Sequence, residues 1–128
     1  MHLKLDSRAP VYIQVIDYFK RQIASGSLEM GEEIPSRREL ANKLKINPNT
    51  AQRAYKEMED AGLIFTEGNS PSRITKDEEV IRNTREGLIL EAVNHFVAAI
   101  KPINVPVEEV FKLIKEKYDE KEQGDTHD

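Results

Sequence analysis

The chain contains no cysteine and no tryptophan among its 128 residues. Without cysteine it has no disulfides and no thiolate metal ligands, and it suits a reducing compartment, so a cytoplasmic location is expected. Histidine is scarce as well: His2, His95 and His127 are scattered, two of them near the ends of the chain. No nucleophile–base pairing, glycine-rich phosphate loop or metal-ligand spacing appears, so no catalytic residue, cofactor or metal is expected and the chain does not read as an enzyme. Long apolar runs are also missing. No stretch reaches the roughly 18 residues of a membrane span, and the start, "MHLKLDSRAP", has no apolar signal region. No internal repeat is visible.

What is present is charge, unevenly placed. The net charge is −4, which by itself argues against a polyanionic partner. Residues 1–75 nevertheless hold 11 Lys/Arg against 10 Asp/Glu, and residues 76–128 hold 8 against 13. Between Ile34 and Lys56 lie Arg37, Arg38, Lys43, Lys45, Arg53 and Lys56, with Glu39 as the only acid. A basic island inside an acidic chain marks a surface with an anionic partner or a solvated face.

Turn and cap signals divide the chain. A first helix is expected to start at Pro10, whose missing N–H is not needed there. Tyr12, Val15, Ile16, Phe19 and Ile23 then repeat at helical spacing. "SGSLEMGEE" ends it, with Gly26 and Gly31 as turn residues. "SRRE", Ser36 to Glu39, is a capping box for a short second helix, with Leu40, Ala41 and Leu44 inward. Only Lys45 and Ile46 precede the next start, Asn47 as cap and Pro48 as first residue. The third helix runs to about Ala61, with Gly62 after it. Two short helices so tightly joined read as helix-turn-helix. "LIFTEGNSPSRIT" then reads as a β-hairpin around Gly68 to Pro71. Three helices and a hairpin is the winged-helix order.

The third helix carries the chemistry. Asn49, Gln52, Arg53 and Lys56 share one face, and Ala51, Ala54, Tyr55, Met58 and Ala61 another. Amides match the hydrogen-bonding edge of adenine in the major groove, and arginine that of guanine. Base contacts by a recognition helix concentrate in its N-terminal turns, where Asn49, Thr50, Gln52 and Arg53 lie. The backbone N–H groups at the starts of the second and third helices, at Ser36 and Asn47, suit phosphates. Arg37 and Arg38 follow Ser36 directly. Each has a plainer reading too: Asn47 and Thr50 as local caps, Arg38 as a partner of glutamates, Lys56 as a solvated lysine.

From Lys76 the pattern changes. A long amphipathic helix is expected from Asp77 to Ile100, carrying Ile81, Leu88, Ile89, Ala92, Val93, Phe96, Ala99 and Ile100. "KPINVP" breaks it, with Asn104 suited to the left-handed conformation. A last helix follows Pro106, with Val107, Val110, Phe111, Ile114 and Tyr118 on its apolar side. Two helices leave apolar faces uncovered; they either pack back on the first domain or, as the long helix and its wide apolar stripe favour, pair with a second chain. The dimerisation face would use Ile81, Leu88, Ile89, Ala92, Val93, Phe96, Ile100, Val110, Phe111 and Ile114. The expected organisation is therefore mainly α: a winged helix-turn-helix domain over 8–75, a two-helix dimerisation region over 76–120 and a charged flexible tail over 121–128.

"PVYIQVIDYFKRQIASGSLEMGEEIPSRRELANKLKINPNTAQRAYKEMEDAGLIF" resembles the winged-helix domain of the GntR family of bacterial transcription regulators, over roughly residues 8–75. Pro-x-Tyr-x-Gln, "SGSLEMGEEIPSRRELA" and "NPNTAQRAYKEMEDAGLI" carry the match in order. The tail resembles the YtrA-like subfamily, with its compact dimerisation region. The resemblance implies a DNA contact at Arg38, polar contacts at Asn47, Asn49 and Thr50, reading positions at Gln52 and Arg53, and a wing-tip glycine at Gly68. It also implies a dimeric repressor of a palindromic operator on double-stranded DNA. Control of its own operon, with genes for an ATP-driven (ABC) transporter, is implied in the same way. The wing departs from the family: Glu67 precedes Gly68, Pro71 sits in the loop and only Arg73 is basic, so a weak minor-groove contact is expected. The alternative is a winged-helix protein-interaction module, which the amide-rich helix face opposes. A small-molecule effector is compatible with the sequence but not indicated by it, since the tail leaves little room for a pocket.

Overall fold

The computed structural model describes residues 1–120; the expected charged tail, 121–128, lies outside the described residues. The elements are α1 (Val11–Ser25), α2 (Arg37–Leu44), α3 (Pro48–Asp60), β1 (Ile64–Phe65), β2 (Arg73–Ile74), α4 (Glu78–Ile100), a 3-10 turn (Lys101–Ile103) and α5 (Val107–Asp119). The chain separates into two compact units, Met1–Leu90 and Glu91–Asp128, so the division falls within α4, later than residue 75.

The first unit is a winged helix with one core. Val15, Phe19 and Ile23 of α1, Leu40 and Ala41 of α2, and Ala51, Ala54, Tyr55 and Met58 of α3 are buried together with Leu63, Ile64 and Ile74. These are the apolar positions that the helical and strand periods place on one side of each element. Ala61 is the exception: it follows α3 as its C-cap and is exposed. The ring of Phe19 meets those of Tyr18 and Tyr55 edge-on, with centroids 5.6 and 6.1 Å apart, the geometry that aligns a positive ring edge with a negative ring face.

Local chemistry sets the boundaries. Pro10 takes the N-cap position of α1, with an extended ψ of 143°, so the helix begins one residue later than expected, at Val11. The amide of Gln14 ties down the preceding segment: its Nε2 donates to the carbonyls of Asp6 and Ala9, and its Oε1 accepts from the Asp6 N–H. This gives the Pro-x-Tyr-x-Gln spacing a structural reason. Gly26 then ends α1 in the left-handed conformation, φ 84°. At α2 both halves of the capping box form: Ser36 Oγ accepts from the Glu39 N–H at 3.1 Å, and Glu39 accepts from the Ser36 N–H at 2.8 Å. The turn to α3 passes through Lys45 in the left-handed region, φ 56° and ψ 49°, a conformation that costs a non-glycine residue about 1 kcal/mol.

β1 and β2 pair antiparallel, Ile64 with Ile74 and Phe65 with Arg73. Glu33 bridges Arg73 from the other side, and Gly31, Glu32 and Ile34 exchange backbone hydrogen bonds with Ile74 and Ser72. The segment before α2 therefore covers one edge of the wing, which two-residue strands would otherwise leave unpaired.

The start of α4 belongs to this first unit. Asp77 accepts from the Glu79 N–H, and Val80 and Ile81 are partly buried against the core. Ile81, grouped with the dimerisation residues by its spacing, thus packs within the winged helix.

The second unit holds the end of α4, the 3-10 turn and α5. Pro102 lies in the 3-10 turn, and Asn104 closes it in the left-handed conformation, φ 59°. The apolar side chains line a groove that includes Phe96, Ile100, Val105, Val110 and Ile114. Val110, 9% exposed, is the only buried side chain here among the described residues. Ile89 and Leu90, at the end of the first unit, and Val93, Phe96, Val97, Phe111, Leu113 and Ile114 are exposed. The apolar residues of α4 also run round most of the helix rather than along one stripe, a pattern of helices covered on several sides.

Candidate nucleic-acid interface

α3 is divided as its sequence directs. Ala51, Ala54, Tyr55 and Met58 are buried; Asn49, Gln52, Arg53 and Lys56 are exposed on another face. Asn47 caps the helix, its Oδ1 accepting from the Asn49 N–H at 2.7 Å, and Pro48 takes the first position. The cap uses the side chain of Asn47 but only the backbone of Asn49. Among the described residues, the side chains of Asn49, Thr50, Gln52 and Arg38 make no hydrogen bonds, and all but the half-buried Thr50 are exposed. Exposed amides and a guanidinium with unused donors and acceptors are chemically equipped for base edges and phosphates.

The cations differ in how they are held. Arg53 lies over the ring of Tyr12 from α1, its guanidinium carbon 3.7 Å from the centroid, and its Nε donates to Glu57 at 3.1 Å. Lys56 meets Asp60 at 3.5 Å, both well exposed, a pairing too solvated to hold the ammonium in place. Arg37 is engaged inward. Its Nη2 donates to Glu59 at 3.0 Å, its guanidinium carbon sits 5.2 Å from the Tyr55 ring centroid, and its Nε is buried without a partner. Its side chain is only 30% exposed, against an open Arg38 beside it. Arg37 thus braces α2 on α3, while Arg38 is free.

Glu59 also accepts from Thr66 Oγ1 at 2.7 Å, and Thr66 shares a hydrogen bond with Ser72. This chain of contacts ties the end of α3 to both strands of the wing. Tyr55 donates its hydroxyl to the Pro35 carbonyl, anchoring the entry to α2. Burial pushes the Tyr55 phenol well above its ordinary value of 10.0, with nearby Arg37 opposing the shift and Glu39 adding to it.

The wing tip is exposed from Thr66 to Pro71, with Gly68 at φ 56°. Between Thr66 and Ser72 its one charged side chain is Glu67. Arg73 turns to the Gly31 carbonyl at 3.0 Å and to Glu33. A negative tip without a free cation is unfavourable beside phosphates.

Tyr12, Glu57, Glu59 and Thr66 were not among the candidate residues. The Arg53–Glu57 and Lys56–Asp60 pairs have the i, i+4 spacing that a sequence displays. Tyr12 reaches α3 from α1 and Thr66 folds back on it from the start of the wing, and no local signal announces them.

A winged helix that exposes a polar, partly basic α3 face defines a class of helix-turn-helix proteins. The chain matches the family described as "Bacterial regulatory proteins, gntR family" over residues 11–74, and it belongs to the GntR family. It is a DNA-binding transcription regulator of that type. It is 32% identical to the uncharacterized HTH-type transcriptional regulator YhcF of Bacillus subtilis, over 90% of this chain and 95% of that protein. It is 30% identical to the HTH-type transcriptional repressor YtrA of the same organism, over 89% and 90%. A solved structure of a GntR family transcriptional regulator from Listeria monocytogenes superposes with a TM-score of 0.81 at 29% identity, covering 88% of this chain and 98% of that one. The similarity to YtrA-type regulators thus extends through the tail.

Proposed function

We propose that the chain is a homodimeric, sequence-specific repressor that reads a palindromic operator through α3. The observation that carries this reading is the α3 face itself. Asn49 and Gln52 present amides, and Arg53 a guanidinium, on a helix start where the capping work falls to Asn47. Asn49 and Gln52 would bond adenine edges and Arg53 a guanine edge. Ser36, Arg38, Asn47, Thr50 and Lys56 would hold the flanking phosphates, with the N-terminal N–H groups of α2 and α3. Arg37 contributes by fixing α2 against α3. Gly68 sits at a wing tip whose acidic charge leaves most of the reading to α3.

Dimerisation through Leu88, Ile89, Ala92, Val93, Phe96, Ile100, Val110, Phe111 and Ile114 is supported by the exposure of Ile89, Ala92, Val93, Phe96, Phe111 and Ile114; Leu88 and Ile100 are half-buried, Val110 is buried, and the exposed Leu90, Val97 and Leu113 join the same surface. An apolar surface of that kind needs a partner, and a second copy supplies a self-complementary one. Two α3 helices would then enter major grooves one helical turn, about 34 Å, apart. A reading domain over 8–75 and a dimerising region over 76–120, the start of which packs on the winged-helix core, would express this split of labour. Repression is supported by the likeness to the YtrA repressor, and the target would be the chain's own operon, including ABC transporter genes. Such a regulator acts in the cytoplasm.

The test is a gel shift with the DNA upstream of the chain's own gene, at several salt concentrations. The proposal expects a dimer-sized complex that is competed away by specific duplex but not by random duplex. Arg53→Ala should change base preference, and Lys56→Ala should weaken all sequences about equally. Retardation equal for specific and random duplex would overturn the proposal.

A further inference from the structure

Arginine is a flexible side chain, and a flexible reader discriminates poorly because each hydrogen bond must first order it. Arg53 is not left flexible. The Tyr12 ring, half-buried at the start of α1, lies 3.7 Å beneath the guanidinium carbon. At that distance the planar cation stacks on the negative ring face. Glu57, one turn along α3, accepts the Nε hydrogen at 3.1 Å. One contact fixes the height of the guanidinium plane and the other fixes its rotation. Among the described residues nothing accepts the Nη hydrogens, and the Arg53 side chain is 60% exposed. The Nη1/Nη2 edge is the one that matches guanine O6 and N7 in bidentate fashion.

We propose that Tyr12 and Glu57 are positioning residues that turn Arg53 into a fixed guanine reader, so that specificity at one base pair per half-site depends on a tyrosine of α1. The inference rests on the reading of α3 as the base-contacting helix. It makes a particular demand on Glu57. A carboxylate beside DNA repels phosphates, so Glu57 weakens binding to every sequence while sharpening the choice at one.

A randomised duplex library, selected in parallel with the wild type, Tyr12→Phe, Tyr12→Leu and Glu57→Ala, tests this. The wild type should select guanine at one pair of symmetric positions. Tyr12→Phe keeps the aromatic face and should select the same sequence with the same stringency. Tyr12→Leu and Glu57→Ala should each lose about tenfold of the preference for guanine there, the value of one good base contact, and keep their preferences at other positions. Glu57→Ala should also bind non-cognate duplex more tightly than the wild type, a gain that loosened packing would not produce. Glu57 is exposed on the helix surface, so this variant is informative even if Tyr12→Leu fails to fold. Full guanine preference in Glu57→Ala, or equal loss at every position, would overturn the inference while leaving the reading of α3 intact. A wild type that selects no sequence at all would overturn that reading and the inference with it.

Discussion

Phe111 offers a quantitative test of the dimer. It is 62% exposed in the protomer, so at about 200 Å² for a whole phenylalanine it leaves roughly 120 Å² to be covered. Alanine would keep roughly a third of that area. The loss of about 80 Å² is worth ~2 kcal/mol per protomer at ~25 cal/mol per Å², and twice that in a two-fold dimer, where each contact occurs in both directions. At 1.4 kcal/mol per decade, Phe111→Ala should raise the dimer dissociation constant by about a thousandfold if the ring is fully covered, and by about thirtyfold if half of it stays wet. Sedimentation velocity across a concentration series measures this directly. Far-UV circular dichroism at low concentration should show the same helix content for both proteins, because the ring supports little within its own protomer. An unchanged dissociation constant would refute the assignment of this face. A wild type that stays monomeric throughout the series would refute it more broadly.

Three further outcomes follow from the first unit. Tyr55→Phe removes the hydroxyl that donates to the Pro35 carbonyl and should cost about 1 kcal/mol in urea melts at neutral pH. The folded-state phenol is held above its ordinary value, so its contribution is complete below pH 10 and is lost as the pH rises beyond it; Tyr55→Phe should show a smaller alkaline loss of stability than the wild type. Ser36→Ala deletes one half of the capping box and should destabilise by about 1 kcal/mol, seen as a lower thermal midpoint with unchanged helix content in the native baseline. Lys45→Asn places a residue that tolerates the left-handed turn at φ 56° and should stabilise by about 0.5 kcal/mol or more; a lower urea midpoint would contradict the strain assigned to that position.

The elements that could be read from the sequence are those whose causes are local. The Ser36–Glu39 box, the Asn47-Pro48 start and the left-handed Asn104 each depend on a few neighbouring residues, and each forms as its chemistry directs. The buried and exposed faces of α3 follow from a 3.6-residue period, apart from Ala61, which the helix end releases to solvent. What could not be read depends on residues far apart in the chain. Glu33 reaches β2 through the fold, and its segment carries turn residues rather than a strand pattern. Arg37 looked like its neighbour Arg38, and only the approach of Glu59 and the Tyr55 ring separates their roles. Tyr12 counted as one member of an apolar stripe, yet its ring carries Arg53. Ile81 shared the spacing of the tail residues, but the start of α4 is close enough to the winged-helix core to bury it partly. Periodicity gives a face of a helix and leaves open which neighbour covers it.

The central claim is that the start of α3 reads DNA sequence from two symmetric positions. Methylation interference on a selected operator measures it most directly, because guanine N7 methylation blocks the contact assigned to Arg53. The account predicts two interfering guanines related by a two-fold axis, in major grooves about one helical turn apart, both lost as interference sites in Arg53→Ala. Interference that persists in Arg53→Ala, or that is confined to a single position without a symmetric mate, would contradict it.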